Sequence, residues 1–257
     1  MQLCKRGTEK DIQKFHLKYL GSRKYDGVRV LAIADEQVKL IGRNNGDYTK
    51  QFQEVVNDLK EIGFKGIIDG EICCDTFNHT LSRNHTQNKL KLKILERTYP
   101  AIFYVFDVLN LNGLDLRQKP LLERLEILSE VGLNSTKSIK IVENTIDLIN
   151  LFERAKKEKF EGIIIKNPIS KYTNDRSWNW LKIKLEKTKD LDFTSYSVNP
   201  AGVRVETNEG IAIQVTGSNS QIVRKLIDET GSARLEVKYL EETINKKLRQ
   251  VVFKDFK

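Results

Sequence analysis

Apolar positions along the first 188 residues recur at two different periods. Residues 49–62 carry apolar side chains at 52, 55, 56, 59 and 62, which predicts one helical stripe. Segments 66–74 and 101–109 are apolar, β-branched or aromatic and predict buried strands. Residues 25–34 and 37–43 predict a hairpin around Asp35-Glu36. Helices are predicted over 8–19, over 120–130 with Pro120 near the first turn, and over 145–158; a short strand follows at 162–166. Residues 184–192 (KLEKTKDLD) are polar and charged, and the pattern changes after them, which predicts a boundary near residue 188 and a hinge at 187–190. Strands then dominate, at 193–198, 203–207, 211–215, 235–241 and 248–253, with one helix at 220–229. Five strands and a helix in about 65 residues fit a small Greek-key barrel of the OB type. The expected organisation is α+β, with a larger mixed domain over 1–188 and an all-β domain over 189–257.

Composition narrows the function. Of the 257 residues, 39% are hydrophobic and 31% charged, which excludes wholesale disorder and a membrane protein. No run approaches the roughly 18 apolar residues of a spanning helix. The first 15 residues have neither an apolar core nor a small-residue cleavage site, so they do not read as a secretory signal. Three cysteines are too few and too odd in number for a disulfide framework, and adjacent Cys73 and Cys74 would point to opposite faces of a strand. The expected thiol state is reduced and the expected location cytoplasmic, or intracellular for a viral chain. Three cysteines and three scattered histidines give no zinc spacing. The formal net charge is +9, and residues 1–188 hold 33 basic and 25 acidic residues against 11 and 10 in the remainder. A basic larger segment suits a polyanion, because neutralised phosphates release counterions. Charge alone leaves a lysine-rich solvated surface equally open.

Four segments carry chemistry. Lys24-Tyr25-Asp26-Gly27-Val28-Arg29 puts a lysine at a strand end, then a turn, then a strand opening with arginine. A lysine is nucleophilic only when neutral, and desolvation and nearby cations favour that form. The bland alternative is an Asp-Gly turn between surface charges. Ile68-Asp69-Gly70-Glu71-Ile72 sets an acidic pair in an apolar strand, which is costly unless the carboxylates bind something. Glu161-Gly162-Ile163-Ile164-Ile165-Lys166 opens a buried strand with a carboxylate and closes it with a lysine. In the stretch 176–184 (RSWNWLKIK), strand alternation puts Lys182 and Lys184 on one face with Trp180. Two cations, two carboxylates and a candidate nucleophile outline a nucleotide site. The plainer readings are core packing for Phe106, internal ion pairs for Glu71 and Glu161, a solvated face for Lys182 and Lys184, and a brace on a tryptophan for Arg176.

This ordered set resembles the ATP-dependent DNA ligases of the covalent nucleotidyltransferase superfamily. The family's K-x-D-G-x-R motif corresponds to Lys24–Arg29. The D-G-E strand, the aromatic strand 103–109 (FYVFDVL), E-G-I-I-I-K and W-x-K-x-K follow in family order, and 42–46 (GRNNG) is similar to its arginine-containing element. The stretch 106–128 is typical of the DNA-joining branch; RNA ligases and RNA-capping nucleotidyltransferases are the alternative reading. The resemblance implies an adenylation domain with antiparallel sheets and flanking helices, followed by an OB-fold domain.

It also implies roles. Lys24 would attack the α-phosphate of ATP and carry the adenylate. Glu71 would contact the ribose or a metal-bound water, Phe106 would stack on adenine, and Glu161 would help hold a divalent metal, Mg²⁺ or Mn²⁺. Lys182 and Lys184 would contact the α-phosphate. Arg29 and Arg43 would engage the AMP phosphate or the nick 5′-phosphate. At the C-terminus, 213–218 (IQVTGS) matches the strand-to-helix turn of the family's OB domain and 233–253 its last strands. The family's final motif, R-x-P-x-F with basic residues following, is represented by 249–257 (RQVVFKDFK) without the proline; Arg249 and Lys257 are the candidates to orient pyrophosphate. The short lead before Lys24 and the small barrel imply a minimal two-domain monomer. It would grip nicked double-stranded DNA, with no membrane partner.

Overall fold

A computed structural model describes residues 1–242 and 247–257. The chain forms two units, Met1–Ile183 and Lys184–Lys257. The first contains β1 (Leu3–Arg6), α1 (Glu9–Phe15), β2 (Leu20–Lys24), β3 (Val28–Ala34), β4 (Val38–Gly42), α2 (Gln53–Glu61), β5 (Gly66–Cys73), α3 (Phe77–His85), α4 (Lys89–Thr98), β6 (Ile102–Leu111), β7 (Leu114–Asp115), α5 (Leu121–Glu130), β8 (Ile139–Ile141), α6 (Leu148–Lys157) and β9 (Gly162–Lys166). The strand β10 (Arg176–Lys184) closes it, its last residue being the first of the second unit. Among the described residues no helix is long and apolar enough to cross a membrane.

Two sheets organise this unit. The larger has the order β4-β3-β5-β6-β7, antiparallel throughout, with β8 parallel to β6. Its alternation buries Val30, Ala32, Ile68, Ile72, Phe103 and Val105 in one core with the α2 residues Val55, Val56 and Leu59. The smaller has the order β1-β10-β9-β2, with β2 antiparallel to β9 and β1 parallel to β10.

The glycines of two motifs are required by close approach. A Cβ on Gly27 would run into the Ile72 carbonyl and the Cys73 sulfur, and one on Gly70 would lie 2.5 Å from the Phe103 ring and 2.6 Å from the Tyr104 carbonyl oxygen. Beneath the larger sheet, Arg124 and Asp107 form a fully buried bidentate pair at 2.7 and 2.8 Å, and Arg124 also donates to the carbonyls of Lys119 and Ser170.

The second unit contains β11 (Lys187–Phe193), β12 (Ser195–Asn199), β13 (Gly202–Glu206), β14 (Ala212–Val215), α7 (Ser218–Thr230), β15 (Ala233–Tyr239), β16 (Glu241–Glu242), β17 (Leu248–Arg249) and β18 (Val252–Phe256). Sheets β11-β15-β18 and β12-β13-β14 enclose a core of Phe193, Val203, Val205, Ile213, Leu235 and Val237, onto which α7 buries Val223 and Ile227. This is the all-β arrangement with one helix that the OB-type reading expects. Within the stretch 233–253, residues 243–246 lie outside the described residues.

The structure differs from the sequence expectation in identifiable places. The division falls at Ile183/Lys184 rather than near 188, and 187–193 form a strand. That strand is an edge, exposed at most positions, so charges replace the apolar alternation that would have signalled it. Strand β3 begins at Val28, leaving 25–27 as a turn, and β1 and β2 add pairings not anticipated. The helices α3 and α4 were not predicted either. The buried residues of α3 are Thr80, Arg83 and Asn84, and α4 buries Leu92 while Leu90 and Ile94 stay exposed, so neither has an apolar stripe toward the core.

Arg124→Ala leaves the Asp107 carboxylate buried without its partner. It should lower the stability of the protein by about 3–5 kcal/mol in urea unfolding; a loss below about 1 kcal/mol would contradict this account of the pair.

Candidate active site

Antiparallel pairing of β2 with β9 sets Lys24 opposite Gly162, so the residue before β9, Glu161, reaches the lysine. The Lys24 ammonium and the Glu161 carboxylate are in direct ion-pair contact, with the Glu161 side chain only 4% exposed. After the turn at 25–27, β3 carries Arg29 opposite Glu71 of β5. The two sheets thus bring their motif residues to one cavity of about 200 Å³. Lys24, Arg29, Arg43, Glu71, Phe106 and Lys182 all line it.

The walls are aromatic and cationic. Phe106 meets Trp180 edge to face at 5.9 Å, and the Arg29 guanidinium lies 5.2 Å from the Phe106 ring centroid and 5.7 Å from that of Trp180. Arg29 donates to both oxygens of buried Asp69, at 3.0 and 2.7 Å, and to the Gln2 carbonyl at 2.6 Å. Tyr172 donates to the same carboxylate at 2.6 Å. Burial alone would lower the Arg29 pKa, but the Asp69 charge and hydrogen bonds outweigh it and raise it. Arg43 reaches the rim from the exposed turn after β4. Arg176 also lines the cavity and donates to the Cys4 carbonyl at 2.5 Å.

Glu71 is the acidic residue in the lining. Burial pushes its carboxyl up to about 7, reinforced by Glu161 and Asp69 and opposed by Lys24 and Arg29. Glu161 and Glu71 face Lys24 as a carboxylate pair. Among the described residues no group of three or more His, Cys, Asp or Glu side chains could hold a metal.

Three other expected residues belong to the second unit. Lys184 is the first residue of the second unit, and its ammonium donates to Gln250 at 2.6 Å; it is not part of the cavity lining. Arg249 lies in β17, and Lys257 pairs with Glu236 at 3.1 Å, both within the second unit.

Sequence reasoning gave no role to Lys166, which the structure brings into the lining. It is 2% exposed, sits 4.4 and 4.7 Å from the Trp180 and Phe106 ring centroids, and reaches the Phe106 carbonyl at 3.3 Å. Burial lowers its pKa to about 8, against the opposing charges of Asp107, Cys4 and Asp69. The signal was available, since a charged residue closing a buried strand is as conspicuous as the Glu161 that opens it. Cys4 and Leu3 of β1 also line the cavity, and nothing in four residues of irregular pattern marks them. The Cys4 thiol is pushed up by burial, though Arg29, Lys166, Lys182 and Lys24 all act to lower it. A cavity with cations for phosphates, aromatic rings for a base and an amine against a carboxylate can bind a nucleotide and transfer part of it to that amine.

Comparison with known proteins gives the same class. The family described as "ATP dependent DNA ligase domain" matches residues 1–184. The chain is 31% identical over 182 residues to the SPbeta prophage-derived DNA ligase-like protein LigB of Bacillus subtilis, a match covering 70% of this chain and 66% of that protein. Matches to archaeal DNA ligases, such as DNA ligase 2 of Thermofilum pendens, span only about a third of their length. Among solved structures, a Lig E DNA ligase, described as binding DNA with a minimal scaffold, has the same fold at 20% identity and a TM-score of 0.72, covering 100% of this chain and 98% of that one. A mycobacterial DNA ligase D complexed with ATP aligns at 19% identity and a TM-score of 0.62, covering 100% and 94%.

The raised Glu71 pKa has a sign that can be tested. A carboxyl that holds its proton more tightly when folded contributes stability below its ordinary value of 4.5, and this is lost as pH rises through about 7. Glu71→Gln removes that dependence. The melting temperature of the variant relative to wild type should therefore rise between pH 5 and pH 8; a difference that is flat or falls would contradict the placement of Glu71.

Proposed function

The chain belongs to the family of ATP-dependent DNA ligase domains, and from that premise we propose that it seals nicks in duplex DNA with ATP through an adenylate carried on Lys24. The observation that carries this reading is the Lys24–Glu161 contact at the edge of a cation-lined, aromatic-walled cavity.

In the first step the Lys24 amine attacks the α-phosphorus of ATP. A nitrogen–phosphorus bond forms, the bond to the pyrophosphate oxygen breaks, and the proton the amine must lose passes to the Glu161 carboxylate beside it. Phe106 supplies the ring against which adenine stacks, and Glu71 is the partner for the ribose. Lys182, with Arg43 at the rim, neutralises phosphate charge where it builds up during displacement. In the second step the 5′-phosphate of the nick attacks the lysyl adenylate; a phosphoanhydride forms, the nitrogen–phosphorus bond breaks and the lysine recovers a proton. In the third the 3′-hydroxyl attacks the activated 5′-phosphorus; the phosphodiester bond forms, the phosphoanhydride bond breaks, AMP departs and the hydroxyl proton is released to solvent. Each step is an in-line substitution at phosphorus, for which positioning provides most of the gain.

The residues fit a divalent cation of the Mg²⁺ type. Such an ion is ordinarily held by one or two carboxylates with substrate phosphates completing its shell, and Glu71 and Glu161 are two carboxylates beside the phosphate-binding cations. When bound, the ion would neutralise phosphate charge. Lys184, Arg249 and Lys257 are assigned by resemblance, with Arg249 and Lys257 orienting pyrophosphate. The enzyme would act as a monomer, and its basic composition makes its hold on DNA steeply salt-dependent.

Lys24→Ala should reduce sealing of a 5′-phosphorylated nick with ATP by about 10⁴-fold or more, the scale seen when a nucleophile is removed. Sealing of a preadenylated nick, which bypasses the lysine, should fall far less. A gel assay comparing the two substrates, with NAD⁺ as the alternative cosubstrate, measures both. Full sealing by the variant with ATP, or sealing by wild type with NAD⁺ alone, would overturn the proposal.

A further inference from the structure

Strand β10 carries an exposed aromatic residue that the catalytic reading leaves unused. Cys4 pairs with Ser177 and Lys5 with Leu181, so one step of β1 faces three extra residues of β10, Trp178 to Trp180. Bulges of this kind re-aim side chains beside active sites. Trp180 turns inward and lines the cavity at 1% exposure, whereas Trp178 is 64% exposed. The Lys5 ammonium lies over the Trp178 ring, 4.5 Å from its centroid. Arg176, two residues earlier on the same strand, is both exposed and part of the cavity lining. The acidic neighbour Asp175 accepts a hydrogen bond from Thr173 at 2.6 Å.

An open tryptophan face has no structural use that the core could explain. Its burial is slight, and a lysine ammonium lies over its ring. Aromatic faces flanked by lysine and arginine are the chemistry that holds single nucleotides of a strand, with the ring stacking on base and sugar and the cations on phosphate. The step adjoins the cavity through Arg176, so a strand whose phosphate enters the cavity would pass beside it.

We propose that Trp178, backed by Lys5 and Arg176, is a stacking platform for a nucleotide of the DNA strand whose end enters the cavity, and so a positioning element for the nick. This rests on the DNA-joining reading above and adds a residue to it. The platform contributes to affinity through stacking and through one to two phosphate contacts, which have different salt dependences.

The test is the equilibrium binding of a fluorescently labelled nicked duplex to the full chain over a range of salt. Trp178→Ala should weaken binding about tenfold, equivalent to about 1.4 kcal/mol, with an unchanged salt slope. Trp178→Phe should stay within threefold of wild type, because a smaller ring still stacks. Lys5→Ala should reduce the salt slope by about one. In wild type, DNA should also quench an exposed tryptophan emission that Trp178→Phe lacks, a readout independent of any folding defect in the alanine variant. Binding of Trp178→Ala within twofold of wild type, or equal losses for Ala and Phe, would overturn the inference. Lysine adenylation of wild type with ATP is scored separately. Labelling with no effect of Trp178 defeats this inference alone, whereas absent labelling defeats the ligase reading while the binding series still reports on the platform.

Discussion

The arrangement depends on a buried carboxylate facing a lysine across two antiparallel strands. Glu161 is almost fully enclosed, and an ionised carboxylate in such a place is unfavourable without a cation against it. Lys24 supplies that cation because the antiparallel register sets it opposite Gly162, next to Glu161. The contact that suits the resting fold opposes the chemistry, since a protonated amine cannot attack phosphorus. In the reaction proposed above, the two requirements would meet when the Glu161 carboxylate takes the amine's proton as the bond to phosphorus forms.

Around that pair the protein stacks further charges in an order that explains their burial. Asp69 is shared by Arg29 and Tyr172, and Arg29 reaches back to the Gln2 carbonyl of the first strand. Asp107, opposite Asp69 in the sheet register, is held by Arg124. The Arg29 guanidinium lies against the aromatic wall of Phe106 and Trp180, and Lys166 is buried against the same two rings and the Phe106 carbonyl. The cavity is therefore cationic at its floor as well as its rim, which suits a polyphosphate and not a neutral substrate.

Much of this was legible in the sequence, and the reason is local. The turn at 25–27 carries its own glycine signal, and the D-G-E and E-G-I-I-I-K strands place charges among residues that can only be buried. What was not legible shares another property. The strand β1 is too short and irregular to show a period, yet it brings Cys4 and Leu3 to the cavity by a parallel pairing with residues more than 170 positions away. The helices α3 and α4 hide because one buries polar residues and the other leaves leucine and isoleucine outside. Strand β11 hides because an edge needs charge more than apolar alternation. Lys184 shares the alternation of Lys182 along β10, and it is the first residue of the second unit, where it bonds to Gln250.

The central claim is that the amine at position 24 forms the covalent bond. Incubating the purified chain with ATP and Mg²⁺, digesting it, and mapping adenylated peptides by mass spectrometry under alkaline conditions tests it directly, since a phosphoramidate is lost in acid. The account predicts one adenylate, acid-labile, on the peptide that contains Lys24. Adenylate on Lys166 or Lys182 instead, or none on any lysine, would contradict it.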